Sequence, residues 1–176
     1  MIIGKLLVGY ANLETEGVFM IIKENETLEM KNVLSFRGKM IQQEFAAKSQ
    51  EIERIMKKAG AEKAFPVVTT TYVIEQGAMS PVMDVEILVS LDREISVPDG
   101  YTWKPRFLLT NAVKLCHIGH PAELQNSINQ LNSYIAEHHL VPITSGYNVT
   151  VKEAKTPLEL NDMEIHVYVG VSPNIL

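Results

Sequence analysis

The sequence predicts an α+β protein in which two pseudo-symmetric β-α-β-β modules form an antiparallel sheet with two main helices on one face. The main observation is a repeated order of signals: strand, glycine, helix, proline, tyrosine-containing strand and acidic strand. This order occurs within residues 33–91 and again within residues 112–171. A second consideration is size, because a single unit of about 60 residues buries too little apolar surface to be stable alone. Two copies sharing one sheet solve that problem, and the seam of a duplicated fold is a natural place for a ligand cleft.

The first module is assigned to about residues 28–92. Its expected strand, helix, strand and strand lie at 28–36, 40–59, 65–74 and 82–91. Gly38 is expected to end the first strand, and Gly60 is a favoured residue just past a helix C-terminus. The helix is predicted because apolar side chains recur every three or four residues. In the last strand the alternation places four apolar side chains on one face, namely Val85, Ile87, Val89 and Leu91.

The second module, about residues 106–172, repeats this order. Pro121 lies in the expected first turn of its helix, where a missing N–H is harmless. The apolar stripe of that helix consists of Leu124, Ile128, Leu131 and Ile135. The closing strands are expected at 146–153 and 163–171. Residues 93–105 are predicted to be a connector, because Pro98 and Gly100 favour a turn.

Residues 2–27 are predicted to add an N-terminal β-hairpin to the single domain, which spans residues 1–176. Its strands and turn are expected at 5–10, 18–22 and 12–17, followed by a loop at 24–27.

Composition excludes several classes of protein. The net charge is −5 and the basic residues are scattered, which argues against a nucleic-acid surface. Cys116 is the only cysteine, so no internal disulfide can form. No signal peptide or membrane-spanning run is evident, and we expect a cytoplasmic protein that does not bind membranes. His138 and His139 lack a third ligand at metal-site spacing, and no phosphate loop or hydrolase signature occurs. We therefore expect no metal, no cofactor and no catalytic residues.

The repeat resembles the GyrI-like, or effector-binding, domain of AraC-type and MerR-type transcription regulators, which also occurs as free-standing proteins. The matching positions are Phe36-Arg37-Gly38 and His117-Ile118-Gly119, Pro66 to Tyr72 and Pro142 to Tyr147, and Glu86 and Glu164. The resemblance covers about residues 28–172. It implies a central cleft in which a glutamate contacts a cationic aromatic ligand among tyrosine and tryptophan rings. By spacing, either Glu164 or His166 holds that acidic position.

The residues themselves support this view. Glu164, His166 and Tyr168 alternate in the last strand and therefore share one face. A polar face on an antiparallel strand is often simply solvated, and ligand lining is the alternative. A carboxylate in a partly dry cleft needs a cation or a donor, and aromatic rings bind cations through their faces.

The remaining candidate ligand-binding residues are Tyr72, Tyr147, Glu86 and Trp103. Strand tyrosines often pack with the hydroxyl group at a wet edge, which is the alternative for Tyr72 and Tyr147. Glu86 is the counterpart of Glu164 in the first module and is expected to offer less chemistry. Trp103 is expected either to cover the seam or to anchor the connector.

These residues lead to three hypotheses. The first is a non-enzymatic domain that binds an apolar or cationic aromatic compound between the modules, as a stand-alone sensor or sequestering protein. Only about 28 residues precede the repeat, too few for a helix-turn-helix domain, so we expect no direct contact with DNA. The second is an interaction or inhibitor module whose partner is another protein. The third is a hydrolase of reactive ring compounds that uses a Tyr–Glu pair. A monomer and a homodimer are equally compatible with the sequence.

Overall fold

The computed structural model describes residues 10–15 and 18–173 and has the α+β fold that the sequence predicts. Two α-helices, seven strands and two short 3-10 helices occur in these residues. The strands are β1 (Tyr10–Thr15), β2 (Val18–Met40), β3 (Val68–Glu75), β4 (Val82–Ser90), β5 (Thr102–Ile118), β6 (Tyr147–Lys152) and β7 (Glu164–Gly170). The helices are α1 (Glu44–Ala59) and α2 (Leu124–Glu137), and the 3-10 helices are Pro121–Glu123 and Pro157–Asp162.

The strands form one sheet in the order β1-β2-β4-β3-β6-β7-β5. The order β-α-β-β occurs twice, as β2-α1-β3-β4 and as β5-α2-β6-β7. In each case the first strand pairs antiparallel with the last, so that Val33 is opposite Ser90 and Ala112 is opposite Gly170.

The described chain divides into two compact units. One, which we call the α1 unit, contains residues 29–108 and 145–149. The other, the α2 unit, contains the described residues up to Leu28, together with Leu109–Thr144 and Thr150 onward.

In the α1 unit, β4 lies between β2 and β3, and β3 also pairs with the start of β6. Helix α1 packs on one face of these strands through Ile52, which is buried. The four alternating apolar residues predicted for β4 all belong to this core, namely Val85, Ile87, Val89 and Leu91. Gly60 ends the helix with φ 62°, which confirms the predicted C-terminal position.

In the α2 unit, β1 pairs with the first part of β2, and β5 pairs with β7. Helix α2 contributes Leu131 and Ile135 to its core, with Leu124 and Ile128 packed at the edge. The predicted stripe of the second helix is therefore confirmed. None of the described helices is long and apolar enough to cross a membrane.

Five local expectations were wrong. The loop expected at 24–27 and the strand end expected at Gly38 both lie inside β2, and α1 begins at Glu44 rather than Met40. The connector expected at 93–105 is already strand from Thr102. The predicted hairpin exists, but β1 occupies residues 10–15, most of the expected turn, and residues 2–9 of the prediction lie outside the described residues. The second strand of the expected hairpin and the first strand of the first module form one continuous strand, β2. The described residues therefore contain seven strands, fewer than two three-stranded modules and a two-stranded hairpin would give.

Candidate functional site

The most distinctive polar group of the α1 unit is the carboxylate of Glu86. Its neighbours in β4, Val85 and Ile87, point into the core beneath α1. Because side chains alternate along a strand, Glu86 points to the opposite face. It is only 5% exposed there, and a carboxylate buried to that extent needs charged or hydrogen-bonding partners.

Three donors from three other strands meet this carboxylate. The hydroxyl of Ser35 in β2 donates to Oε1 at 2.5 Å, and the hydroxyl of Tyr72 in β3 donates to Oε2 at 2.5 Å. The ammonium group of Lys104 in β5 also donates to Oε1 and forms an ion pair with it. We call Ser35, Tyr72, Glu86 and Lys104 the Glu86 cluster.

Local backbone geometry explains how these side chains converge. Ser35 lies two residues before Arg37, the residue directly opposite Glu86 in β2, and so it shares the face of Glu86. The register of β3 against β4 shifts between Thr71 and Val73, so Tyr72 is the extra residue of a bulge. Bulges re-aim side chains, and here the tyrosine hydroxyl reaches Glu86.

The network sets the protonation states of Glu86 and Tyr72. Burial alone would raise the pKa of Glu86, but the hydrogen bonds from Lys104, Ser35 and Tyr72 outweigh burial and hold that pKa below its usual value. Burial and the neighbouring carboxylate raise the pKa of Tyr72 far above its usual value, and the interaction with Tyr147 adds to this effect. Around neutral pH Glu86 is therefore a carboxylate anion and Tyr72 a neutral phenol.

Beside the cluster lies a buried hydroxyl group without a partner. Thr70 in β3 is opposite Glu86 on one side and opposite Tyr147 on the other. Its side chain is fully buried. Among the buried side-chain polar atoms of the described residues, Oγ1 of Thr70 is the one that lacks a hydrogen-bond partner. Such an atom is a free hydrogen-bonding position on the face that Glu86 occupies.

Aromatic rings lie beside Thr70 and the Glu86 cluster. The ring of Tyr147 packs against Phe107 at 5.1 Å between centroids. The guanidinium of Arg37 lies 3.9 Å from the centroid of the Tyr72 ring, and it also binds both carboxylate oxygens of Asp84. Arg37 is therefore held by Asp84 and Tyr72, although it is directly opposite Glu86 in the ladder.

Trp103, the fourth candidate residue in this unit, lies elsewhere. It is half-buried and packs against the apolar core beneath α1. Its neighbour Tyr101 donates a hydrogen bond to Glu51 of α1 at 2.8 Å and contacts the ring of Phe36. The start of β5 is thus tied to α1 by aromatic packing and a hydrogen bond.

The other three candidates lie together in the α2 unit. Nε2 of His166 is 2.7 Å from Oε1 of Glu164, and the rings of His166 and Tyr168 meet edge to face. Glu164 is more exposed than Glu86, at 33% of its side chain against 7%. On the neighbouring strand, Lys114 pairs with Glu26 and lies 5.7 Å from the centroid of the Tyr168 ring.

Sequence reasoning missed Ser35, Thr70 and Lys104. The alternation of Leu34 and Phe36 with Ser35 and Arg37 could have indicated a polar face on β2. Nothing in the sequence indicates Lys104, because its approach to Glu86 depends on how β5 lies relative to β4. No group of three or more His, Cys, Asp or Glu in the described ranges could hold a metal ion.

The fold is consistent with the expected resemblance to GyrI-like effector-binding domains, and comparison with known proteins supports this at the level of structure. No protein-family description and no curated protein sequence matches the chain. Solved structures do match it, and they include the C-terminal domain of EcmrR, with a TM-score of 0.63, 13% identity, and coverage of 84% of this chain and 96% of that domain. EcmrR bound to DNA in the EcmrR-RPo assembly matches with a TM-score of 0.68 and 15% identity over 88% of this chain.

This chain spans 57% of the length of the DNA-bound EcmrR chain. A hydrolase from Listeria innocua also shares the fold, with a TM-score of 0.54, 13% identity, and coverage of 87% of this chain and 91% of that one. The fold therefore occurs both in EcmrR, which is seen bound to DNA, and in a protein described as a hydrolase. Because these sequence identities are only 13–15%, the structural similarity establishes a shared fold alone.

Proposed function

We propose that this protein binds a small organic cation with an aromatic or apolar body at Glu86, and acts as a sensor or sequestering protein rather than as an enzyme. The observation that carries this proposal is the buried carboxylate of Glu86, which is 5% exposed and faces away from the α1 core. Even with Lys104 as its partner, a carboxylate at such a depth adds little net stability, because the cost of desolvation offsets the ionic attraction. Buried, charge-paired carboxylates of this kind are common at functional sites.

The surroundings of Glu86 suit a ligand that is both cationic and flat. The rings of Tyr72 and Tyr147 offer faces that attract a cation, as the position of Arg37 over Tyr72 illustrates. The unpartnered hydroxyl of Thr70, between Glu86 and Tyr147, offers a further polar contact. A few placed polar groups among aromatic walls are typical of small-molecule sites.

Glu86 is a better anchor than Glu164. Glu164 is a third exposed, and water stabilises a carboxylate there without any ligand. The two glutamates therefore provide a matched pair for a test, because Glu→Gln removes one negative charge at either position and preserves the shape of the side chain.

The test is thermal unfolding with cationic aromatic compounds such as N-methylquinolinium. At a ligand concentration of about 100 times Kd, the melting temperature of the wild type should rise by about 5–10 °C. Glu164→Gln should respond like the wild type, whereas Glu86→Gln should lose most of the rise because its anchor carries no charge. A full response in Glu86→Gln, or no response of the wild type to any compound, would contradict the proposal.

One contact favours a second candidate function, hydrolysis of a reactive ring compound. The Tyr72 hydroxyl lies 2.5 Å from Glu86, the kind of pair that such chemistry uses as acid and base. Binding remains the preferred function because the pKa of Glu86 is lowered, which makes it a weak base. Mass spectrometry of compounds recovered from the same samples separates the two: binding returns the compound intact, and hydrolysis adds one water.

A further inference from the structure

The cation that neutralises Glu86 in this structure comes from the protein itself. Lys104 lies near the start of β5, and its ammonium group contacts Oε1 of Glu86. Its side chain is 32% exposed, whereas that of Glu86 is 7% exposed. The ion pair thus joins a buried anion to a lysine that already reaches water.

The other nearby cation is otherwise engaged. Arg37 is opposite Glu86 in the ladder, yet its guanidinium donates to both oxygens of Asp84, at 3.2 and 2.8 Å. Ser35 and Tyr72 also donate to Glu86, but both are neutral donors. Among the described contacts of Glu86, the Lys104 ammonium therefore supplies the positive charge.

We propose that Lys104 is a built-in competitor for the ligand: it occupies the cation position at Glu86, and a ligand cation binds by displacing it. This inference rests on the proposed function. A carboxylate accepts several hydrogen bonds, but a second full cation on the same oxygen would be repelled by the ammonium. Because the Lys104 side chain is already 32% exposed, it has a route into solvent, where the released ammonium is hydrated.

The exchange has consequences for selectivity. Ser35 and Tyr72 remain in place to hold the carboxylate when Lys104 leaves, so the anchor is preorganised for an incoming cation. A neutral compound of the same shape gains nothing from removing Lys104, since it cannot replace the lost charge. A ligand binds well only when the combined interaction energy of its cation and rings exceeds that of the Lys104–Glu86 ion pair. Lys104 therefore sets the minimum interaction energy that a cationic ligand must supply.

The experiment compares Lys104→Gln with the wild type by isothermal titration with N-methylquinolinium and with neutral quinoline. Arg106→Gln is the matched control, because Arg106 lies two residues along β5 and pairs with Glu29 instead of Glu86. We expect Lys104→Gln to bind the cation about ten to a hundred times more tightly, which corresponds to the loss of one charge-assisted hydrogen bond in competition. Quinoline affinity should change little in Lys104→Gln, and Arg106→Gln should bind both compounds as the wild type does.

Each other outcome has a distinct meaning. Equal cation affinity in Lys104→Gln and the wild type would overturn the competitor role and leave the proposed function intact. Tighter binding of both compounds by Lys104→Gln would also overturn it, because added space rather than charge would then explain the gain. If neither protein binds the cation, the proposed function fails and the competitor role fails with it.

A second measurement uses the unmodified protein, in case Lys104→Gln folds poorly. Acetylation of lysines by a soluble activated ester is followed by peptide mass spectrometry with and without saturating N-methylquinolinium. The ligand should accelerate acetylation of Lys104 several-fold, while the exposed Lys57 of α1 should react at an unchanged rate. Slower or unchanged acetylation of Lys104 would overturn the displacement.

Discussion

Among single residues, His117 shows how burial makes a side chain sensitive to pH. It lies fully buried in β5, where Nδ1 is 2.8 Å from the Ser127 hydroxyl of α2 and Nε2 is 3.3 Å from the carbonyl oxygen of His120. Burial lowers the pKa of His117, and the carbonyl contacts only partly oppose this effect. The folded protein therefore holds His117 neutral at a pH where the unfolded chain protonates it.

This difference predicts a loss of stability in mild acid. Because the folded pKa lies below the unfolded value of about 6.5, the unfolded state binds more protons as the pH falls through that value. The contribution of His117 should lower the free energy of unfolding by at most about 1.4 kcal/mol per pH unit below about pH 6.5, and should vanish above it. Urea denaturation between pH 7.5 and 5 measures the free energy of unfolding. As the pH falls, this free energy should decline less steeply for His117→Gln than for the wild type.

The exposed His139 provides the control. Its φ is 55°, a conformation that asparagine tolerates, so His139→Asn removes an exposed imidazole without straining the backbone. It should keep the wild-type dependence on pH. Identical slopes for His117→Gln and the wild type would show that burial of His117 does not govern this behaviour.

The comparison of Glu86 with Glu164 shows where sequence reasoning reaches its limit. Both occur in matching Asp-x-Glu patterns, and the alternation of β4 and β7 correctly predicts which apolar residues face the core. From the sequence, Glu164 was the stronger candidate for the ligand-binding carboxylate, because His166 and Tyr168 are close to it in the chain. The contacts of Glu86 come from Ser35, Tyr72 and Lys104, which are distant in sequence, and only the fold brings them together.

Among the elements, β2 shows why a polar segment can be misassigned. Residues 24–27 are charged or polar, which is typical of a loop, yet they continue the strand. Glu26 finds a partner in Lys114, and Leu28 and Met30 are each only 2% exposed. Asn25 and Asn32 both have positive φ, so two local irregularities interrupt the extended conformation. A cross-strand charge partner and buried neighbours are long-range features that a local pattern does not contain.

Helix α1 was easier to predict, because its end depends on a single local conformation. Gly60 has φ 62°, and a Cβ added there would meet no atom within 4 Å. Gly60→Ala should therefore destabilise the protein by about 1–2 kcal/mol through backbone strain alone. Gly60→Asn should cost less, because asparagine adopts this conformation more readily. Chemical denaturation measures both, and a wild-type free energy of unfolding for Gly60→Ala would contradict the argument.

In the molecule as a whole, each compact unit is assembled from segments that are far apart in the chain. The α1 unit needs residues 145–149, which follow its main segment by more than thirty residues. There, Val149, Asn148 and Tyr147 are opposite Val68, Thr69 and Thr70 of β3. This short piece covers the edge of β3 and supplies the tyrosine beside the unpartnered Thr70 hydroxyl.

The dependence on this segment predicts how a fragment would behave. Residues 29–108 alone would leave the edge of β3 unpaired and its buried residues Val68 and Thr70 partly exposed. A fragment of this size has little stability to spare, so it should show no cooperative thermal transition by circular dichroism. Appending residues 145–149 through a flexible Gly/Ser linker should restore at least part of a transition, whereas a linker carrying the same five residues in scrambled order should not. If residues 29–108 alone unfold as cooperatively as the linked chain, the strand from the second module is dispensable, and the Glu86 cluster can form without Tyr147.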